Sequence, residues 1–202
     1  MKIGVLVSGQ GTNLQALIDA QAQGKLGPAT LAVAISNKPG VPAIARAEKA
    51  GLPAVVIEHG DDRVAFEDAL LAELAKHEVD AVVLAGFMRV LTAHFVDKWP
   101  LRIINTHPSL LPAFPGANAI QQAIAYGVKV TGMTIHFVDS SVDGGPIIAQ
   151  EPVPIFEGDD VAALQARIQK REHQMLPEVV RDLAADELSC QGRLVVRGKR
   201  AQ

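Results

Sequence analysis

The chain has a single cysteine in 202 residues, Cys190, so it cannot form an internal disulfide. That scarcity fits a reducing compartment. No apolar run approaches the roughly 20 residues that a membrane-spanning helix needs. The opening Met1-Lys2-Ile3-Gly4-Val5-Leu6-Val7 breaks off at Ser8-Gly9-Gln10-Gly11, too soon for the core of a signal peptide. A soluble, cytoplasmic protein is expected. No sign of charge dominates: 19 Lys and Arg against 22 Asp and Glu leave a net charge of -3, which offers no basic field for nucleic acid. No histidine pair has H-x-H, H-x-x-x-H or H-E-x-x-H spacing, so no metal site is expected. Gly-x-Ser-x-Gly is absent and Cys190 has no histidine near it in sequence, which weakens any nucleophilic hydrolase reading. Repeats, low-complexity tracts and linkers are also missing. With 49% hydrophobic residues, the chain is expected to form one domain over 1–202.

What is present alternates. Apolar runs at Lys2–Val7, Leu31–Ile35, Ala54–Ile57, Ala81–Ala85 and Leu101–Thr106 predict strands. Between them, helices are predicted from about Thr12, with Thr12 and Gln15 as a capping box, over Pro42–Ala50, and after Asp62, where Phe66, Leu70 and Leu74 recur every four residues. This rhythm argues an α/β fold: a Rossmann-like, mostly parallel twisted sheet with helices on both faces. Val130–Val138 and Ile147–Val153 have only a loop between them, so antiparallel strands are expected in the C-terminal half. A long helix should follow from Asp159 to about Ala184, with an apolar stripe at Val161, Leu164, Ile168, Met175, Val179 and Leu183. A short strand, Leu194–Val196, precedes a basic end, Arg197, Lys199 and Arg200, that reads as solvated.

The most informative run is Asn105-Thr106-His107-Pro108-Ser109-Leu110-Leu111-Pro112. Asn105 and His107 stand at i and i+2 near a strand end and share a face. An amide and an imidazole side by side suit a carbonyl whose oxygen gains charge, since both can donate to it and the imidazole can move a proton. Asp143, in Asp143-Gly144-Gly145-Pro146, offers a carboxylate that could orient the imidazole.

Ser8-Gly9-Gln10-Gly11-Thr12-Asn13 joins the first strand to the first helix, where N–H groups and the helix dipole favour an anion. Leu14 stands where a dinucleotide fingerprint needs its third glycine, and Ser36-Asn37 where it needs an acidic residue. A small phosphorylated ligand fits better; a plain tight turn capped by Thr12 is the alternative. His59, His77 and His94 read as surface residues. His136, among apolar neighbours, reads as a satisfied core or cleft residue.

These motifs, together with Leu84-Ala85-Gly86-Phe87-Met88-Arg89 and Val142-Asp143-Gly144-Gly145-Pro146-Ile147-Ile148, resemble those of the glycinamide ribonucleotide formyltransferases over nearly the whole chain. The resemblance implies direct formyl transfer from 10-formyltetrahydrofolate, as co-substrate, to glycinamide ribonucleotide, without metal. It implies Asn105, His107 and Asp143 as the catalytic trio. It puts the phosphate on Gly11, Thr12 and Asn13, with Gln169, Lys170 and Glu172 completing that site. On the folate side it implies Met88, Arg89, Val90 and Leu91, the loop of Asp139, Ser140, Ser141, Val142 and Asp143, Asn105 again, and Arg63. Residues 1–100 would form a nucleotide-phosphate-binding half and 101–202 a catalytic and folate-binding half. Partners would be small molecules only, with no nucleic acid or membrane, and the chain a monomer or weak homodimer. In the loop Phe114 to Gln121, Asn118 and Ile120 stand where some members carry histidines, so no catalytic histidine is assigned there. A formyltetrahydrofolate hydrolase would share the trio but normally adds an N-terminal regulatory domain. A methionyl-tRNA formyltransferase would add a C-terminal RNA-binding domain and a basic surface. A non-catalytic phosphate-binding module would have no use for the trio.

Overall fold

The computed structural model describes residues 1–198. Its elements run β1 (Lys2–Val7), α1 (Thr12–Ala22), β2 (Thr30–Ser36), α2 (Pro42–Lys49), β3 (Ala54–Val56), α3 (Arg63–Lys76), β4 (Ala81–Leu84), α4 (Ala93–Val96), β5 (Ile103–His107), α5 (Ala119–Tyr126), β6 (Val130–Phe137), β7 (Ile147–Pro154), α6 (Val161–Ala184), β8 (Leu188–Gln191) and β9 (Leu194–Arg197). The first seven strands make one sheet, ordered β3-β2-β1-β4-β5-β6-β7. Strands β1 to β5 pair in parallel, and β6 and β7 join antiparallel. The expected mixed sheet is present. No helix among the described residues is long and apolar enough to cross a membrane.

Strand alternation divides the core. Ile3, Val5 and Val7 of β1 pack on one face with α1, α2 and α6, while Leu6 packs on the other with Phe66, Leu70 and Leu74 of α3 and Phe95 of α4. Both faces being covered explains why β4 is apolar throughout, Ala81-Val82-Val83-Leu84. The chain leaves β1 to one side for β2 and β3, then returns to β4 on the other. Strand order therefore reverses between β1 and β4, and a crevice opens beyond their C-terminal ends.

Several expectations need correcting. The Thr12–Gln15 capping box does not form. The N-cap of α1 is Gly11, left-handed at φ 69°, and no side chain caps the helix. Gln15 instead donates to Asp19 and accepts from Arg46. The strand expected from Leu101 begins at Ile103, because Leu101 turns at φ 54° and is exposed. The short helices α4 and α5 and the strand β8 were not expected. Arg197 is exposed but not a free end: it donates to buried Asp182 of α6 at 2.6 and 3.0 Å and so ties the β8–β9 hairpin down. At the tip of that hairpin, Arg193 donates to the Gly144 carbonyl at 2.8 Å. Lys199 and Arg200 lie outside the described residues.

The start of α6 is capped by Asp160, whose Oδ1 accepts from the Ala163 N–H at 2.7 Å. Asp160→Ala should cost about 1 kcal/mol, as such caps do. The melting temperature should then fall by roughly 2–4 °C. Calorimetry returning an unchanged transition would show that the cap contributes nothing.

Candidate functional site

Two clefts meet at the crevice. One, of about 470 Å³, is lined by Asn105, His107, His136 and Asp143, by Met88 to Leu91, and by residues of 116–121 and 138–143. The other, of about 270 Å³, is lined by Ser8 to Asn13, Thr106, Gln169 and Glu172. Gly86, Met88, Thr106, Pro108, Ile120 and Gln165 line both.

Three segments supply the larger cleft's polar centre. Strand β5 turns Asn105 and His107 to one face. Antiparallel pairing sets His136 of β6 opposite Asn105. The β6–β7 loop brings Asp143, at φ 51°, so that its Oδ2 lies 3.3 Å from His107 Nδ1 and its Oδ1 lies 3.6 Å from His136 Nε2. The Gly116 N–H donates to Asp143 Oδ2 at 2.7 Å. The Asp143 carboxyl is held below the ordinary carboxylate range. His136 is the largest cause, burial works against it, and the Gly116 N–H and the His107 ring add to the lowering. Gly145 is obligatory in this loop, because a Cβ there would stand 1.8 Å from the Phe137 carbonyl oxygen.

The hydrogen-bond directions follow from the acceptors. His136 Nδ1 lies 2.8 Å from its neighbour's carbonyl, Phe137 O, to which it donates. In the neutral ring its Nε2 accepts from Asn105 Nδ2 at 3.2 Å, which leaves a second amide N–H; in the doubly protonated ring Nε2 donates toward Asp143 instead. His107 Nε2 lies 2.8 Å from Phe114 O, so its two ring nitrogens face a carbonyl and a carboxylate. A ring carrying both protons donates at both ends.

The smaller cleft is built at the start of α1. With no side-chain cap, the first-turn N–H groups are open to a ligand. A Cβ on Gly11 would come within 2.6 Å of Ala43 Cβ, so the backbone approaches α2 more closely than a side chain allows. Asn13 Nδ2 donates to Glu172 at 3.1 Å and to Thr106 at 3.3 Å, while its Oδ1 is buried with no partner. A buried acceptor left unpaired costs about 1–3 kcal/mol, a cost that a ligand's donor would remove. On α6 the row Leu164, Ile168, Glu172, Leu176 is apolar but for the carboxylate. Burial pushes the Glu172 carboxyl up, against the Asn13 amide.

Of the residues singled out in the sequence, most line the clefts. Arg63, at the start of α3, Ser140, and Lys170, on the solvent side of α6, line neither. Helical geometry explains Lys170: Gln165, Gln169 and Glu172 share a face at i, i+4 and i+7, and position 170 turns away. Gln165 was legible from that spacing but was not singled out. Nor was Ser8, whose hydroxyl donates to Asn37 at 2.6 Å and accepts from the Met88 N–H at 2.8 Å. His136, read as a core or cleft residue, lines the larger cleft through its strand pairing. His77 and His94 bond to surface acids, as a surface role suggests. No group of three or more His, Cys, Asp or Glu among the described residues could hold a metal ion.

A family model described as "Formyl transferase" matches residues 1–180. Phosphoribosylglycinamide formyltransferase of Mycobacterium tuberculosis is 41% identical over 199 residues, covering 98% of this chain and 92% of that protein. The human trifunctional purine biosynthetic protein adenosine-3 is 46% identical over 186 residues, and this chain spans only 18% of its length. Among solved structures, glycinamide ribonucleotide transformylase 1 from Symbiobacterium toebii aligns with a TM-score of 0.96 at 45% identity, covering 98% of this chain and 94% of that one.

Glu172 generates a pH-dependent expectation. Because burial raises its carboxyl, the native state keeps a proton that the unfolded chain has already lost. Its stability contribution is complete below the unfolded value, declines as pH rises to the raised value, and is level beyond. Glu172→Gln cannot ionise and still accepts from Asn13. Without substrates, it should raise the melting temperature by a margin that grows with pH through that window. A margin independent of pH would show that Glu172 carries no such cost.

Proposed function

This chain belongs to the formyl transferase family, and on that premise we propose that it transfers the formyl group of 10-formyltetrahydrofolate to the glycine amine of glycinamide ribonucleotide, as in de novo purine synthesis. The observation that carries this reading is the convergence of Asn105, His107 and Asp143 in a cleft that joins an anion-ready helix start. The phosphate would rest on Gly11, Thr12 and Asn13, with Gln169 alongside and Glu172 facing the ribose or the glycine amine. The folate ring would lie against Met88, Arg89, Val90 and Leu91 and the loop Asp139, Ser141, Val142 and Asp143. Arg63, Ser140 and Lys170 would act only from the rim. The chain would work as one unit: residues 1–100 supply the phosphate loop and 101–202 the reacting side chains. The single cysteine accords with cytoplasmic work.

The chemistry follows from the hydrogen bonds. The amine nitrogen attacks the formyl carbon, the new C–N bond forms, and the carbonyl electrons move to oxygen. The second N–H of Asn105 donates to that oxygen, and the charge of a doubly protonated His107 stabilises it. As the bond to the folate nitrogen breaks, the proton lost by the amine passes to that nitrogen. Asp143, ionised well into acid, accepts and returns it through water. Two ligands held in adjoining clefts replace a bimolecular encounter with a fixed approach.

The test is a steady-state assay with both substrates, followed by tetrahydrofolate formation. Asn105→Ala should lower turnover on the order of 100- to 1000-fold. Asp143→Asn should be at least as damaging, and the double variant less damaging than the product of the two, since both act on one reaction centre. Formate release without ribonucleotide would favour a hydrolase instead. Near-normal turnover of Asp143→Asn across neutral pH would remove Asp143 from the proton path.

A further inference from the structure

Glu67 of α3 is fully buried, and the reaction above makes no use of it. Both its oxygens serve one residue: the Thr92 N–H donates to Oε1 at 2.7 Å and the Thr92 hydroxyl donates to Oε2 at 2.6 Å. No cation pairs with it among the described residues. Burying a carboxylate without a counter-ion is costly, and here hydrogen bonds alone compensate. Thr92 is the exit of the loop 85–91, which connects β4 to α4 and has no regular structure of its own. The same hydroxyl accepts from the His94 N–H at 3.3 Å and so caps α4.

That loop forms one wall of the larger cleft. It is held at its entry by the Ala85 N–H on the Leu6 carbonyl at 2.9 Å and at its middle by the Met88 N–H on Ser8. Between the middle and the exit, Met88 and Val90 are 70% and 59% exposed and line the cleft. Phe87 and Leu91 anchor the loop in the core, but the exposed side chains that face the cleft have little packing of their own, so their placement follows how the loop's backbone is held. At the exit, the Glu67 clamp on Thr92 adds to the burial of Leu91.

We propose that Glu67 is a positioning residue for the formyl donor: by clamping Thr92 it holds the 85–91 wall in the shape the donor binds. The proposal rests on the reading of the larger cleft as the folate site. A loop ordered before binding spares the ligand the cost of ordering it. A glutamine at 67 has the same volume but only one acceptor: it can still accept from the Thr92 N–H and turn its own N–H to the Thr92 hydroxyl oxygen, which leaves the hydroxyl proton without its buried acceptor.

The experiment combines steady-state kinetics with calorimetric titration of tetrahydrofolate into the intact enzyme. Glu67→Gln should weaken tetrahydrofolate binding and raise the donor KM roughly tenfold, the equivalent of one lost buried hydrogen bond, and leave the ribonucleotide KM unchanged. Thr92→Val keeps the N–H but loses the hydroxyl, so it should show a smaller shift in the same direction. It also carries the test if Glu67→Gln does not fold. Thr92→Ser retains both donors and should match the wild type. Parallel weakening for both substrates, or unchanged tetrahydrofolate binding in both Glu67→Gln and Thr92→Val, would overturn the proposal. Wild-type enzyme that bound no tetrahydrofolate would overturn the reading of the cleft itself.

Discussion

One carboxylate joins three segments that are distant in sequence. Asp143 faces His107 of β5 and His136 of β6 and accepts from Gly116 ahead of α5. The β6–β7 loop must therefore close over the end of β5, and the chain around it is shaped for that closure. Gly145 lacks the Cβ that would strike the Phe137 carbonyl, and Asp143 itself takes a left-handed turn. A carboxylate in such a place stays ionised because partners surround it, not because water does. The cleft's electrostatics and its shape are thus consequences of the same contacts.

How much of this the sequence disclosed depends on the range of the interaction. Local signals worked. The apolar runs of β1, β2 and β4, the four-residue recurrence of Phe66, Leu70 and Leu74, and the i, i+2 placement of Asn105 and His107 all follow from periods that a single segment carries. Pairings between segments did not show. His136 read as a core or cleft residue, and which of the two applies is decided only once β6 aligns it with Asn105. Thr12 and Gln15 satisfied a capping pattern, but Gly11 adopted the left-handed cap and Gln15 turned to Asp19 and Arg46. The short helices α4 and α5 have too few residues for a periodic signal. The bond of exposed Arg197 to Asp182, fifteen positions earlier on a helix face, left no local signal. Motif resemblance named the site residues, and geometry then separated those that line the clefts from Arg63, Ser140 and Lys170.

Two buried carboxylates, Glu172 and Glu67, break otherwise apolar surroundings in different ways. Glu172 interrupts the apolar row of α6 and is held by a single amide whose own oxygen is unpartnered. Its environment is incomplete as it stands, the mark of a group placed for a ligand. Glu67 has both oxygens committed to Thr92, and its environment is closed. On the reading proposed above, the same side chain, buried to a similar degree, would serve recognition in one place and scaffolding in the other. What separates the two is whether its hydrogen bonds are filled.

The terminal hairpin extends past residue 180, where the family match ends, yet its tip reaches the carbonyl of Gly144, next to Asp143. Arg197 fastens its other strand to α6. The hairpin is therefore mechanically continuous with the loop that carries Asp143. A load applied to this hairpin would act on a lever whose far end lies one residue from the carboxylate. A change in this hairpin, remote in sequence from Asp143, would be felt in the larger cleft.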